Sequence, residues 1–207
     1  MSKLVNSLIE EGYLKTDVII EAFDAVNRIE FLPKELELES EANVALPIGY
    51  GQTISQPMVV AFMLELLDPK EGHNILDVGS GSGWTTALLS HIVGKKGKVV
   101  ALERIKELVE FGKNNVDKHG FVKEGIAEFY QGDGSKGFSD KAPYDRILVS
   151  ASIAEEVPKE LKDQLKLGGK IVIPVRNSIV YLEKENEDDF YREEFPGFTF
   201  VPLVVNR

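Results

Sequence analysis

The chain has 207 residues, of which 43% are hydrophobic, so it is long and apolar enough for one domain with a large core. It contains no cysteine, which excludes disulfides, thiolate nucleophiles and cysteine-ligated metals. Its formal net charge of −10 disfavours nucleic acid as a partner, because such a surface repels a phosphate backbone.

The sequence predicts a cytoplasmic protein that does not act at a membrane. No run approaches the roughly 18 consecutive apolar residues that suggest a bilayer-spanning helix. Residues 1–16 include acidic side chains and lack the apolar block of a signal peptide.

The first 45 residues are predicted to form a helical cover over one end of the core. Apolar residues recur at helical spacing from Leu4 to Ile9, before Gly12. Thr16 can cap a second helix that continues to about Val26. Further along, Pro57 suits the first turn of a helix that runs to about Leu67.

From Asn74 onward, strands and helices alternate, which predicts a parallel sheet covered on both faces. The predicted strands are residues 74–78, 98–103, 126–130, 144–151 and 170–175, and the predicted helices are residues 85–91, 105–118 and 158–165. Residues 178–183 and 190–203 have the pattern of antiparallel strands separated by charged turns. The predicted fold is therefore a doubly wound α/β fold, with antiparallel strands at the C-terminal edge of a mostly parallel sheet.

A glycine-rich turn follows the first of these strands. Residues 74–85 read Asn-Ile-Leu-Asp-Val-Gly-Ser-Gly-Ser-Gly-Trp-Thr. Gly79, Gly81 and Gly83 allow a close approach of the backbone to a ligand, and free N–H groups at the next helix start can point at that ligand. A dinucleotide fingerprint needs its third glycine one place later, where this chain has the bulky Trp84, and this disfavours a nicotinamide or flavin cofactor.

Glu103 lies at the end of the second predicted strand, about 20 positions beyond Gly83. An acid at this position typically binds ribose hydroxyls. The two features in register predict an adenosine-type ligand, whereas the glycine run alone is also compatible with a tight structural turn.

A second glycine turn, Gly132-Asp133-Gly134, follows the third predicted strand and lies at the same carboxyl edge of the sheet. Asp133 can accept a hydrogen bond from an adenine amino group. The alternative is an Asx turn, and the two interpretations are compatible.

The three histidines do not indicate a metal site. His73, His91 and His119 lie in turns or at helix ends without the spacing of metal ligands. The sequence predicts that each is solvated and that the protein binds no metal.

Together these motifs resemble the class I methyltransferases that use S-adenosylmethionine, and more narrowly the protein-L-isoaspartate O-methyltransferase family. The most specific part is residues 45–57, Ala-Leu-Pro-Ile-Gly-Tyr-Gly-Gln-Thr-Ile-Ser-Gln-Pro, which is similar to a signature of that family. The resemblance extends from Leu14 onward and includes residues 76–84, 103–104, 132–134, 142–145, 167–170, 173–175 and 200–203.

The resemblance implies a Rossmann-like methyltransferase domain over residues 1–207, with a catalytic core at residues 46–207. The enzyme would methylate the side-chain carboxylate of L-isoaspartyl residues in peptides and in unfolded or aged proteins, and would release S-adenosyl-L-homocysteine. Ser55 would be the catalytic hydroxyl. The implied cofactor-binding residues are Gln52, Thr53, Ile54, Asp77, Gly79, Ser80, Gly81, Gly83, Glu103, Arg104, Gly132, Asp133 and Gly134. The implied substrate-binding residues are Ile54, Ser55, Ser150, Ala151 and Val201.

Several positions depart from the commoner family pattern. Arg176 stands where glycine is frequent, Ile153 where small residues or proline are common, and Val180 where glutamine is often found. Met58 replaces an aromatic residue or histidine, and Ser150 replaces a threonine. These changes leave open another carboxylate acceptor, or a module that binds the nucleotide without turnover. For Ser55, the alternative role is to assist the helix that begins near Pro57.

Overall fold

A seven-stranded sheet forms the centre of the computed structural model, which describes residues 1–204. The strand order is β5–β4–β3–β6–β7–β8–β9; β8 pairs antiparallel with both β7 and β9, and it alone runs opposite to the other six strands. The strands are β1 Leu46–Gly49, β2 Gln52–Ile54, β3 Asn74–Val78, β4 Lys98–Glu103, β5 Ala127–Gln131, β6 Tyr144–Val149, β7 Leu165–Val175, β8 Ser178–Lys184 and β9 Phe190–Pro196. The α-helices are α1 Lys3–Glu10, α2 Asp17–Ala25, α3 Pro57–Leu67, α4 Trp84–Val93, α5 Lys106–Asp117 and α6 Lys159–Asp163.

The parallel strands bury apolar side chains on both faces, as the sequence predicts for a doubly wound sheet. On β3, Ile75 packs into a cluster with side chains of α3, α4 and α5, whereas Leu76 and Val78 pack into a second cluster with Leu161 of α6. The predicted α/β fold, with antiparallel strands at the C-terminal edge of the sheet, is confirmed.

Two predicted boundaries are wrong at the C-terminal half of the sheet. The glycine pair at 168–169 does not precede β7 but lies within it, as an irregularity where the pairing shifts between Tyr144 and Arg146 of β6. Gly168 has φ +70°, which an L side chain rarely adopts. The preceding helix therefore ends early, at Asp163, because the chain has already entered the strand by Leu165.

The last strand is also shorter than predicted. β9 ends at Pro196, and Gly197, with φ +101°, turns the chain away from the sheet edge. Val201 then accepts a hydrogen bond from the Ser152 N–H at 2.8 Å, and the Leu203 N–H donates to the Ser152 carbonyl at 2.8 Å. The C-terminal residues therefore follow the loop after β6 instead of continuing β9.

A separate β1–β2 hairpin precedes α3, and the sequence did not predict it. Leu46 pairs with Ile54 and Pro47 with Thr53. Its turn, residues 49–51, has three positive φ angles in succession, including +55° at Tyr50. A proline and two glycines in so short a segment conceal its strand pattern.

Of the N-terminal helices, α2 packs on α4 and α1 packs on α2. The Phe23 ring of α2 contacts Trp84 edge-on with a centroid separation of 5.5 Å, and the apolar residues of α1 and α2 join the core cluster that contains α3 and α4. α1 and α2 therefore share one apolar core with the sheet and its helices. No helix within residues 1–204 is both long and apolar enough to cross a bilayer.

The prediction that the histidines are solvated is wrong for His119, and His73 and His91 are half-buried. The His119 side chain is only 18% exposed and stacks between the rings of Phe31 and Phe121, and its Nε2 lies 3.1 Å from Glu30 Oε2. Burial lowers the pKa of His73 and of His91 below the usual value. The imidazoles of His73, His91 and His119 are therefore partly covered by neighbouring residues, which their positions in turns and at helix ends did not indicate.

Gly83 has no room for a side chain, which leads to a prediction about stability. A Cβ at this position would lie 2.7 Å from the Gly112 carbonyl oxygen, at φ +87°. We expect Gly83→Ala to lower the free energy of unfolding by about 2 to 4 kcal/mol, from backbone strain and overpacking together. Gly12→Ala is a matched control, since Gly12 has φ +76° with no atom near its Cβ position. Urea unfolding of both variants measures the difference, and equal losses would show that packing at Gly83 is unimportant.

Candidate active site

A cleft of about 850 Å³, including the solvent at its mouth, opens at the carboxyl ends of the parallel strands. Most of the predicted site residues meet there, although they come from six separate stretches of the sequence. The predicted residues that line the cleft are Gln52, Thr53, Ile54, Ser55, Gly79, Ser80, Gly81, Glu103, Arg104, Gly132, Gly134, Ser150, Ala151 and Val201. Asp77, Gly83 and Asp133 are not part of its lining.

The glycine turn forms one wall of the cleft, and the N–H groups of Gly79 and Gly81 have acceptors within the protein. The Gly79 N–H donates to the Leu102 carbonyl at 2.8 Å, and the Gly81 N–H donates to Glu103 Oε2 at 3.1 Å. These N–H groups are therefore engaged within the protein. The absence of a side chain at Gly81 allows close packing in this wall, since a Cβ on Gly81 would lie 3.2 Å from Ile48 Cδ1.

Glu103 is held at the end of β4 by three backbone donors. Its Oε2 accepts from Gly81, and its Oε1 accepts from the N–H groups of Arg104 at 2.7 Å and Ile105 at 2.9 Å. The side chain is 8% exposed and lines the cleft. Because each carboxylate oxygen has two lone pairs, three of the four acceptor sites are used within the protein, and Oε2 can accept one more hydrogen bond from a ligand hydroxyl.

Asp77 belongs to β3, one residue from its carboxyl end, but its side chain is completely buried behind the cleft wall. Its Oδ2 accepts hydrogen bonds from the hydroxyls of Thr86 at 2.6 Å and Thr85 at 2.9 Å. Burial raises the pKa of Asp77 to about 6, despite the opposing effect of the two hydroxyls. The carboxyl group therefore connects β3 to the first turn of α4.

The raised pKa of Asp77 predicts a pH-dependent stability. The unfolded carboxyl titrates near 3.8, so the folded state binds the proton more tightly. The resulting stabilisation is fully present below about pH 4 and is lost as the pH rises through about 6, on the order of 3 kcal/mol in total. We expect Asp77→Asn, which cannot titrate, to lack this decline. Urea unfolding of both proteins from about pH 4 to 7.5 measures it, and parallel stability curves would contradict the assignment.

Asp133 forms a local turn. Its Oδ1 accepts hydrogen bonds from the Ser135 N–H at 3.0 Å and from the Ser135 hydroxyl at 2.7 Å. The Asx turn that the sequence offered as an alternative is therefore present. It fixes the backbone of Gly132 and Gly134, which do line the cleft. Recognition of adenine by Asp133 stays a prediction.

Ser55 faces the cleft from the segment between β2 and α3. Its hydroxyl makes no hydrogen bond with any residue in the range 1–204, and Gln56 is the N-cap of α3. The alternative role, assistance to the helix start, is therefore not supported by a capping hydrogen bond. The hydroxyl is available to a ligand.

Sequence reasoning missed part of the lining. Val201 was predicted, but the rest of the C-terminal stretch at the cleft was not. Leu102 and Ile105 flank Glu103, so adjacency alone could have identified them, whereas Trp84 had served only as an argument against a dinucleotide. The missed residues are Val60, Val78, Ser82, Trp84, Thr85, Leu102, Ile105, Pro202, Leu203 and Val204.

Met58, Ile153, Arg176 and Val180 lie outside the cleft lining, whereas Ser150 lines the cleft and keeps the hydroxyl of the usual threonine. Ile153 and Val180 are buried in the apolar cluster on the α6 face of the sheet. Arg176 has φ +53°, which explains why glycine is frequent there, and its Nε donates to the Ala154 carbonyl at 3.0 Å. These substitutions therefore do not remove any group from the cleft wall.

Comparisons with known proteins match this chain over nearly its full length and agree with the resemblance found in the sequence. The family model for protein-L-isoaspartate(D-aspartate) O-methyltransferase matches residues 1–207. The chain is 43% identical to the protein-L-isoaspartate O-methyltransferase of Methanopyrus kandleri, over 98% of this chain and 90% of that protein. It is also 43% identical to the Pyrococcus horikoshii protein of the same name, over 98% of this chain and 91% of that protein.

A crystal structure from Plasmodium falciparum has the same fold. That protein, assigned as a protein-L-isoaspartate O-methyltransferase, is in complex with S-adenosyl-L-homocysteine. It superposes with a TM-score of 0.84 at 25% identity, over 98% of this chain and 97% of that chain. The present chain belongs to the protein-L-isoaspartate(D-aspartate) O-methyltransferase family.

Proposed function

We propose that this protein transfers the methyl group of S-adenosylmethionine to the side-chain carboxylate of L-isoaspartyl residues in damaged proteins, which initiates repair through a succinimide. The observation that carries the proposal is one cleft that contains both the Glu103 carboxylate and the unbonded Ser55 hydroxyl. Full-length membership of the family supports the same activity.

The residues of the cleft suit an adenosyl donor. Glu103 presents a carboxylate whose geometry is fixed by three N–H groups, as the binding of ribose hydroxyls requires. The Ser80 hydroxyl is buried without a hydrogen-bond partner among residues 1–204, and it lines the cleft. A buried hydroxyl of this kind is costly unless a ligand or water satisfies it. We assign the glycine turn, Glu103, Arg104 and residues 132–134 to the donor.

The chemistry requires little from the side chains. Bound S-adenosylmethionine supplies a methyl group on a positively charged sulfur together with a neutral leaving group. The acceptor carboxylate is already ionised at neutral pH, since its reference pKa is about 3.9, so no general base is needed. The protein must position the acceptor oxygen and exclude water, and such positioning can contribute roughly 7 to 11 kcal/mol in well-aligned cases.

Ser55 is the group that we assign to this positioning. Its hydroxyl can donate a hydrogen bond to one acceptor oxygen and so direct the other oxygen toward the methyl group. We assign Ile54, Ser150, Ala151 and Val201 to the walls around the acceptor, because all of them line the same cleft. Val201 is held beside this site by the hydrogen bonds between the C-terminal segment and Ser152.

We also propose that residues 1–207 act as one catalytic domain on isoaspartyl sites in peptides and in unfolded or aged proteins. The N-terminal helices share a single apolar cluster with the sheet, which supports a single unit. A cytoplasmic location stays a prediction from the sequence.

The test is a comparison of two peptides that differ only in one linkage. The protein is incubated with S-adenosylmethionine and either an isoaspartyl peptide or its aspartyl twin, and a methyl ester is sought by mass. We expect methylation of the isoaspartyl peptide alone. Equal modification of both peptides would indicate another acceptor, and binding of S-adenosylhomocysteine without any ester would indicate a module that has lost turnover.

A further inference from the structure

Arg28 is a buried cation in the N-terminal part of the chain, and the activity described above does not use it. It is only 3% exposed, and it lies immediately after Asn27, beyond the end of α2. Burial lowers its pKa to about 10. No carboxylate of residues 1–204 forms an ion pair with it, so its charge is compensated by other groups.

Four backbone carbonyls accept hydrogen bonds from its guanidinium. Nη1 donates to Ser40 at 3.2 Å and to Ala42 at 3.0 Å, and Nη2 donates to Val44 at 2.8 Å. The fourth acceptor is the carbonyl of Ser55, 3.2 Å from Nη2. One side chain therefore connects the loop of residues 40–44 to the residue whose hydroxyl faces the cleft.

The guanidinium also contacts a second part of the cleft wall. Its Cζ lies 5.5 Å from the centroid of the Trp84 ring, and Trp84 lines the cleft. A parallel connection joins the same loop to α3, since Asn43 Oδ1 accepts from the Met58 N–H at 3.0 Å. The segment that carries Ser55 is thus held through its backbone by Arg28 and through the start of α3 by Asn43.

We propose that Arg28 is a positioning residue for the methyl transfer, which fixes the Ser55 backbone so that the Ser55 hydroxyl is directed at the acceptor carboxylate. This inference rests on the proposed function of the cleft. The planar fork of arginine reaches four carbonyls from two nitrogens, whereas lysine has a single nitrogen with three donors and cannot satisfy all four. Donor binding depends mainly on the glycine turn and Glu103, which Arg28 does not contact.

The test uses Arg28→Lys, which keeps the positive charge, and Arg28→Met, which removes it. We expect kcat for the isoaspartyl peptide to fall about tenfold to a hundredfold, as for other small displacements of reacting groups. We expect the Kd for S-adenosylhomocysteine to change by less than about threefold, because the donor contacts lie elsewhere. Trp84 is the only tryptophan of the chain and lines the cleft, so a fluorescence titration of each variant, starting from that variant's own unliganded signal, measures this binding.

A double-mutant cycle distinguishes positioning from general stabilisation. If Arg28 acts through Ser55, then Arg28→Lys in a Ser55→Ala background should change kcat by less than about threefold. Arg146→Met is the matched control, since Arg146 is another buried arginine bonded to backbone carbonyls, those of Asp68 and Asp145, but is not part of the cleft. We expect that control to lower Tm and to leave kcat and KM unchanged.

Each outcome distinguishes a positioning role of Arg28 from a general effect on stability. A fall in kcat that disappears in the Ser55→Ala background supports the inference. Additive losses, an unchanged kcat in folded Arg28→Lys, or an equal fall in kcat in Arg146→Met would overturn it. If Arg28→Met does not fold, Arg28→Lys gives the decision alone. A wild-type protein that methylates neither peptide removes the proposed function and this inference together, whereas an active wild type isolates the role of Arg28.

Discussion

Replacement of Ser55 by alanine should lower kcat for the isoaspartyl peptide by about tenfold to a hundredfold. A hydrogen bond from a hydroxyl to a charged carboxylate is worth about 1.5 to 3 kcal/mol, and this bond forms only when the acceptor is in place. The Ser55 hydroxyl makes no hydrogen bond within residues 1–204, so its loss leaves no internal group unsatisfied. Tm and the Kd for S-adenosylhomocysteine should therefore stay close to the wild-type values.

Ser139→Ala is the control for this measurement. Ser139 is an exposed serine in the segment before β6, outside the cleft lining, and its replacement should leave kcat unchanged. Steady-state kinetics and thermal unfolding of the two variants separate catalysis from folding. A Ser55→Ala enzyme with full activity, or one whose kcat falls only in proportion to lost folded protein, would show that Ser55 has no catalytic role.

Replacement of Glu103 by alanine should weaken donor binding more than any other single change at the cleft. The carboxylate is assigned to the ribose hydroxyls, and each lost bond to a charged group corresponds to a factor of about 10 to 100 in Kd. The change also leaves the N–H groups of Gly81, Arg104 and Ile105 without their acceptor, which loosens the glycine turn. We expect both a higher Kd for S-adenosylhomocysteine and a lower Tm.

Titration of the Trp84 fluorescence with S-adenosylhomocysteine measures the affinity. Glu107→Ala provides the control, since Glu107 is an exposed acid in the first turn of α5, four residues along the same segment. Its removal changes the net charge equally without touching the cleft. If Glu107→Ala weakened the binding of S-adenosylhomocysteine as much as Glu103→Ala, the loss of one negative charge would explain the weaker binding. The assignment of Glu103 to the ribose would then be wrong.

The central sheet was predictable because its strands carry simple signals. β3, β4 and β6 each contain a short apolar run, and β3 is followed by Gly79 while β4 ends at Glu103; buried parallel strands are rich in such apolar runs. The hairpin of residues 46–54 was missed because Pro47 and its glycine-rich turn conceal a strand. β7 was predicted to start too late because Gly168 and Gly169 indicate a turn, whereas the sheet accommodates them as an irregularity.

The site was only partly predictable, for a different physical reason. Local motifs identified Glu103, the glycine turn and Gly132 to Gly134, and family resemblance added Ser55. Arg28 could not be found in this way, because its partners are backbone carbonyls distributed over residues 40–55. Every residue type has such a carbonyl, so the sequence does not identify these partners. Asp77 belongs to the motif but is bonded to threonines behind the wall, a distinction that only burial reveals.

A crystal structure of this protein with S-adenosylhomocysteine would test the assignment of the cleft most directly. We expect the ribose hydroxyls within hydrogen-bonding distance of the Glu103 carboxylate, and the sulfur on the side of the cleft where the Ser55 hydroxyl emerges. An adenosyl group bound elsewhere on the protein, or a sulfur separated from Ser55 by the cleft wall, would contradict the proposed mechanism.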